Sequence, residues 1–173
     1  DLLKMKRREF LHQSAAGVAL VGLGSLALQS FVPVPAQRKI TILHTNDVHS
    51  HIDPFGPEDG RNANKGGVAR RASLVQSIRN ENPNTLLLDA GDIFQGTPYF
   101  NYYGGELEFK LMSMLKYDLA TIGNHDFDNG IEGLYKQMPH ASFEFVSANY
   151  DFSNTIMDTH VKPYKTFTKE GVK

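Results

Sequence analysis

Apolar residues fall along this chain in two kinds of run. Residues 39–45, 85–88, 118–122 and 143–148 are short and rich in β-branched or aliphatic side chains, which predicts four strands. Between them Val68, Ala72, Val75 and Ile78 recur at helical spacing, and so do Leu107, Leu111, Met114 and Leu115. Asn82-Pro83-Asn84 punctuates the first of these helices. A shorter helix is expected from Asn129 to Met138, with Pro139 ending it. Strand and helix therefore alternate, the pattern of an α/β domain with a mostly parallel sheet. Residues 57–65 and the aromatic stretch 95–105 read as loops, 150–159 as irregular, and 163–173 as a further strand pair. No internal repeat interrupts the pattern.

Polar residues collect where these strands end. Asp47 and His49 follow the first, Asp89 and Asp92 the second, and Gly123-Asn124-His125-Asp126-Phe127-Asp128 the third. Open α/β sheets place their sites outside the carboxyl ends of their strands. Asp, His and Asn are hard to borderline donors of the kind divalent cations take. Two residues apart in an extended segment, Asp47 and His49 point the same way. An Asp-x-His alone is more often a turn carboxylate beside an exposed imidazole, so the signal lies in three strand ends acting together. His51 and Asp53 fall on a loop and read as solvated. Asp89 reads as a loop-capping carboxylate or a supporting partner. Arg70 and Arg71 read as surface charges. Gly66-Gly67 suits either close approach to an anion or a plain tight turn. The aromatics of residues 95–105 suit either a pocket wall or packing.

Asp47-x-His49, Gly91-Asp92 and Gly123-Asn124-His125-Asp126, in that order, resemble the first three motifs of the calcineurin-like metallophosphoesterases. Leu43-His44-Thr45-Asn46-Asp47, Gly66-Gly67-Val68-Ala69-Arg70 and Asn124-His125-Asp126-Phe127-Asp128 resemble the branch of secreted 5'-nucleotidases and UDP-sugar hydrolases. The resemblance implies an α/β sandwich and two divalent metal ions, with Zn, Mn and Fe equally suited. It implies Asp47, His49, Asp92 and Asn124 as ligands, Asp92 bridging both ions. It also implies that His125 stabilises or protonates the leaving group, oriented by Asp128, with Asp126 structural. The reaction implied is attack of a metal-bound hydroxide on phosphorus, and the substrates are nucleotides.

Composition narrows the remaining classes. Lys4, Lys6, Arg7 and Arg8 against Asp1 and Glu9 lie in the first 36 residues, leaving 14 Lys+Arg and 17 Asp+Glu beyond them. A mildly acidic domain lacks the electrostatic footprint for a nucleic-acid polymer. Cysteine is absent, which excludes a disulfide framework and thiolate chemistry. Lys6-Arg7-Arg8 ahead of the apolar stretch 15–28 reads as a twin-arginine (Tat) export signal, so residues 1–36 are assigned to a signal peptide and the product to the periplasm or another exported location. An uncleaved anchor is the alternative; no other apolar run reaches the length of a membrane span.

The Gly-His and Gly-His-x-His motifs of the resembled family have no counterpart, since neither His140 nor His160 follows a glycine. Residues 37–173 are therefore expected to form the N-terminal part of a metallophosphoesterase domain, incomplete at its C-terminal side. A C-terminal domain or second chain would supply the missing imidazoles, and the chain alone would be inactive. Two rivals stay open. One is a thiosulfohydrolase of sulfur oxidation, which shares the motifs. The other is a non-catalytic metal- or ligand-binding module.

Overall fold

The computed structural model describes residues 37–173, and residues 39–173 form one compact unit. The expected export signal, residues 1–36, lies outside the described residues. Five strands, β1 Thr41–Thr45, β2 Thr85–Asp89, β3 Leu119–Ala120, β4 Glu144–Val146 and β5 Val161–Lys162, pair in the order β1-β2-β3-β4-β5. Every pairing is parallel. The α/β class and the four sequence-predicted strands are as expected.

A sequential parallel order with the usual right-handed crossovers sends each connection over the same face. β1 carries the mark of this asymmetry. Thr41, Leu43 and Thr45 are half-buried, whereas Ile42 and His44 on its other face are exposed. Register aligns the strand ends: Thr45 lies opposite Asp89, Asp89 opposite Ala120, and Ala120 opposite Phe145. Loops leaving β1, β2 and β3 thus start level with one another.

Helix α1, Val68–Glu81, forms where the apolar spacing predicts it and buries Val75. Gly67 precedes it because a side chain there would meet the backbone nitrogen of Pro54 at 2.9 Å, and the first helical N–H, that of Val68, donates to the Ile52 carbonyl. Residues 95–105 are not a plain loop. They contain helix α2, Pro98–Tyr103, opened by a proline in its first turn and closed by left-handed Gly104. Helix α3, Glu106–Met114, buries Glu108, Phe109 and Met112; of the expected face Leu115 is buried just past the helix end, Leu107 and Leu111 are half-buried, and Met114 is 76% exposed, so the buried face is turned from the expected one. The aromatic core sets this rotation: Phe109 packs at 4.8 Å from Phe94 and 5.2 Å from Phe145. Helix α4, Gly130–Gln137, passes into a 3-10 turn over Met138–His140, which places Pro139 inside the turn.

The expected strand pair at 163–173 is corrected as well. The fifth strand comes earlier, at Val161–Lys162, and further on a single antiparallel bridge joins Lys169 and Val172. Among the described residues no helix is long and apolar enough to cross a membrane.

Candidate metal centre

The loops after β1 and β2 are bonded to each other through their main chains. The Asp47 N–H donates to the Gly91 carbonyl at 3.0 Å, the His49 N–H to the Asp92 carbonyl at 3.1 Å, and the Ser50 N–H to the Ile93 carbonyl at 2.9 Å. Asp47, His49 and Ser50 are all left-handed, with φ of 50°, 48° and 55°, as is Asp92 at 54°. Such φ values are uncommon outside glycine and persist only where surrounding bonds over-determine them. The expectation that Asp47 and His49 align on an extended segment is therefore wrong in its cause. They converge because the segment coils back along the second loop.

The convergence is close. His49 Nε2 lies 3.8 Å from Asp47 Oδ1 and 4.0 Å from Asp92 Oδ2, and one donor atom from each residue falls within 4.8 Å of the others. Donors on one ion sit at most about 4.2 Å apart for bonds of roughly 2.1 Å, so a slight closure gives all three a common ion. His49 Nδ1 lies 3.2 Å from the Phe94 carbonyl oxygen. That contact suits an Nδ1–H donor, which leaves Nε2 as the lone-pair nitrogen facing the carboxylates. The donor set, two carboxylates and one imidazole, fits a divalent transition metal.

The third loop is tied on by Asp126. This carboxylate is 2% exposed and accepts four backbone N–H groups, from Asp92 at 3.1 Å, Ile93 at 2.9 Å, Phe94 at 3.0 Å and Gly123 at 2.8 Å. Burial pushes its pKa up, and the backbone donors pull against that. Asp92 Oδ1 in turn accepts the His125 N–H at 3.0 Å. Gly123 fits here for lack of room: a Cβ there would stand 2.1 Å from Asp92 Oδ1 and 2.4 Å from its nitrogen.

A 3-10 turn over His125–Phe127 then presents the remaining residues. His125 Nδ1 lies 3.1 Å from Asp128 Oδ2, and this bond holds the imidazole above its usual pKa. The His49 and His125 rings meet edge to face with centroids 5.2 Å apart. Asn124 is exposed immediately before the turn. Thus Asp47, His49 and Asp92 form one cluster, and the His125–Asp128 pair stands beside it. His140 and His160 lie elsewhere, against Glu106 and Tyr135 respectively.

Of the other residues, His51 and Arg71 differ from their sequence reading, whereas Asp89 caps its loop as expected and Arg70 is exposed. His51 is half-buried against Phe55 and so is not simply solvated, whereas Asp53 is exposed and accepts the Tyr99 hydroxyl at 2.6 Å on the surface. Asp89 accepts the Thr45 hydroxyl at 2.5 Å and the Gly91 N–H at 2.9 Å. Burial raises its pKa to about 6 against those bonds. Arg70 is exposed, but Arg71 is half-buried and donates to the Tyr117 hydroxyl at 3.3 Å. Tyr117 had no signal in the sequence beyond preceding a strand.

Residues 40–172 match the calcineurin-like phosphoesterase family. The human 5'-nucleotidase is 43% identical over 140 residues, 78% of this chain and 24% of that protein. The crystal structure of a 5'-nucleotidase precursor from Thermus thermophilus superposes with a TM-score of 0.70 at 40% identity, covering 76% of this chain and 26% of that one. The Haemophilus influenzae NAD nucleotidase superposes with a TM-score of 0.69 at 33% identity, over 76% of this chain and 27% of that one. The chain spans about a quarter of the length of the relatives it matches.

Proposed function

The chain belongs to the calcineurin-like phosphoesterase family, and on that premise we propose that it carries part of the active site of an exported, metal-dependent phosphoesterase that hydrolyses nucleotides. The observation that supports this reading best is the cluster of Asp47, His49 and Asp92 within 4.8 Å, with the His125–Asp128 pair beside it.

Asp47, His49 and Asp92 would hold one divalent cation. Asp92 and Asn124 would hold a second, and Zn, Mn and Fe suit these donors equally. Bound cations supply a lowered pKa for attacking water and neutralise charge on the phosphoryl oxygens. The chain's own residues do the rest. The Phe94 carbonyl fixes the His49 ring. Asp128 orients His125 and favours its protonated form, so that Nε2 can deliver a proton to the leaving alkoxide. Asp126 keeps the Asp92 and Gly123 loops in register.

The nucleotide reading rests on relatives named 5'-nucleotidase and NAD nucleotidase. Residues 1–36 would direct export through the twin-arginine route, and Arg7→Lys with Arg8→Lys should hold the precursor inside the cell. Residues 37–173 alone should turn over little, because Asp47, His49, Asp92 and Asn124 offer one ion three ligands and the other two.

Hydrolysis of AMP to phosphate, and of UDP-glucose and NAD each to its two phosphomonoesters, by the native full-length protein tests the reading, with an S-thiosulfonate of cysteine, which would release sulfate, as a control substrate. Nucleotide hydrolysis that is abolished by chelator and restored by Mn²⁺ is expected. Hydrolysis indifferent to chelator, or of the thiosulfonate alone, would overturn it.

A further inference from the structure

Glu108 is 3% exposed on the inner face of α3, and neither of its carboxyl oxygens has a hydrogen-bond partner among the described residues. A carboxyl group in that condition is costly unless something nearby compensates it. It lines a cavity of about 20 Å³ together with Val48 and Ile93. Arg71, on α1, and Tyr117 line the same cavity, and the rest of its wall is aliphatic. Arg71 is thus the one cation facing Glu108 there, yet the two are not in direct hydrogen-bond contact. A space of this size holds one water, for which about 10–15 Å³ suffices.

From Arg71 a polar chain runs to the metal loops. Arg71 donates to the Tyr117 hydroxyl at 3.3 Å, Tyr117 meets Thr45 Oγ1 at 2.8 Å, and Thr45 donates to Asp89 Oδ2 at 2.5 Å. Only one orientation satisfies every group. Thr45 gives its proton to the carboxylate, so Tyr117 gives its proton to Thr45, and Tyr117 accepts from Arg71. Bonds aligned in one direction reinforce one another. At the far end Asp89 Oδ1 accepts the Gly91 N–H at 2.9 Å, and the Gly91 carbonyl accepts the Asp47 N–H at 3.0 Å.

We propose that Arg71 and Glu108 form a water-bridged charge pair in this cavity, and that the pair acts through Tyr117 and Thr45 to position the Asp89–Asp92 turn that carries a metal ligand. Glu108, Arg71 and Tyr117 are positioning residues, and this role rests on the reading of Asp47 and Asp92 as ligands. Arg71 is held from two sides, by the bridged carboxyl and by the tyrosine, which fixes where the chain of bonds begins.

The test uses the native full-length protein and two measurements, thermal midpoint and Mn²⁺ affinity. Arg71→Gln and Glu108→Gln should each lower Tm by roughly 5 °C or more, and the double variant by clearly less than the sum. Tyr117→Phe keeps the ring and removes the link, and it should weaken Mn²⁺ binding by roughly two- to fivefold, less than the tenfold or more usual for a partner bonded directly to a ligand. Strictly additive Tm shifts, or a Glu108→Gln protein identical to wild type, would overturn the charge pair. Unchanged Mn²⁺ affinity in Tyr117→Phe would overturn the positioning role. Wild-type protein that binds no Mn²⁺ would instead defeat the metal reading, and the Tm cycle would still decide the charge pair.

Discussion

The carboxylate of Asp126 accepts the backbone N–H of Asp92 at 3.1 Å, while Asp92 accepts the N–H of His125 at 3.0 Å. The proposed bridging ligand is thus held at its main chain and at its side chain by the loop that carries the proposed acid. Asp126→Asn replaces an acceptor oxygen with a donor in a site filled with N–H groups. Burying unsatisfied donors costs about 1–3 kcal/mol each, so a loss of roughly 3 kcal/mol is expected together with weaker cation binding. Urea unfolding and a Mn²⁺ titration check this, and a variant equal to wild type in both would refute it.

His125→Ala should separate binding from chemistry. The imidazole contributes none of the clustered donor atoms, so cation affinity should hold. Turnover should fall about 10²–10⁴-fold, the usual worth of a positioned acid. Loss of cation along with activity would reassign His125 to ligation.

Gly123→Ala tests space rather than conformation. The new methyl would stand 2.1 Å from Asp92 Oδ1 and 2.4 Å from a backbone nitrogen, so the loop itself must move. Overpacking of this kind costs roughly 1–3 kcal/mol. Cation affinity should fall with stability, and affinity preserved at wild-type level would show that the Asp92 loop tolerates displacement.

Asp89 gives a pH dependence of defined sign. Its pKa is raised to about 6 from 3.8, so the folded protein binds this proton more tightly than the unfolded chain does. The contribution is fully present below about pH 4 and is lost as pH rises through 6, amounting to about 3 kcal/mol as an order of magnitude. Stability measured in chelator should therefore fall between pH 4 and 6 relative to Asp89→Asn. Parallel profiles for the two proteins would contradict the assignment.

The apolar runs disclosed β1 to β4 because a buried parallel strand needs little else, and the candidate donors Asp47, His49 and Asp92 stand out as polar residues just past the first two strands. What stayed hidden depends on long-range packing. The coil at Asp47–Ser50 is imposed by bonds to Gly91, Asp92 and Ile93, some forty residues away, and no local propensity announces it. Helix α2 was obscured by Pro98 and Gly104, which punctuate a loop as readily as they open and close a helix. Arg71 and Glu108 were hidden by their charge, since charged positions on a helix ordinarily face solvent. The rotation of α3 toward Phe109 is set by the aromatic rings it meets.

The pairing of β1 with β2 has a kinetic consequence. Thr45 and Asp89 are 44 positions apart, so the donors from these two strand ends meet only after a long loop has closed. Closure entropy of that kind is met before any contact rewards it, and we expect the ladder to be a late event in folding. A cation then has little to grip in the transition state, and its influence should fall on unfolding rather than refolding. Added Mn²⁺ would lengthen the lifetime of the native protein while leaving the pace at which it forms nearly untouched.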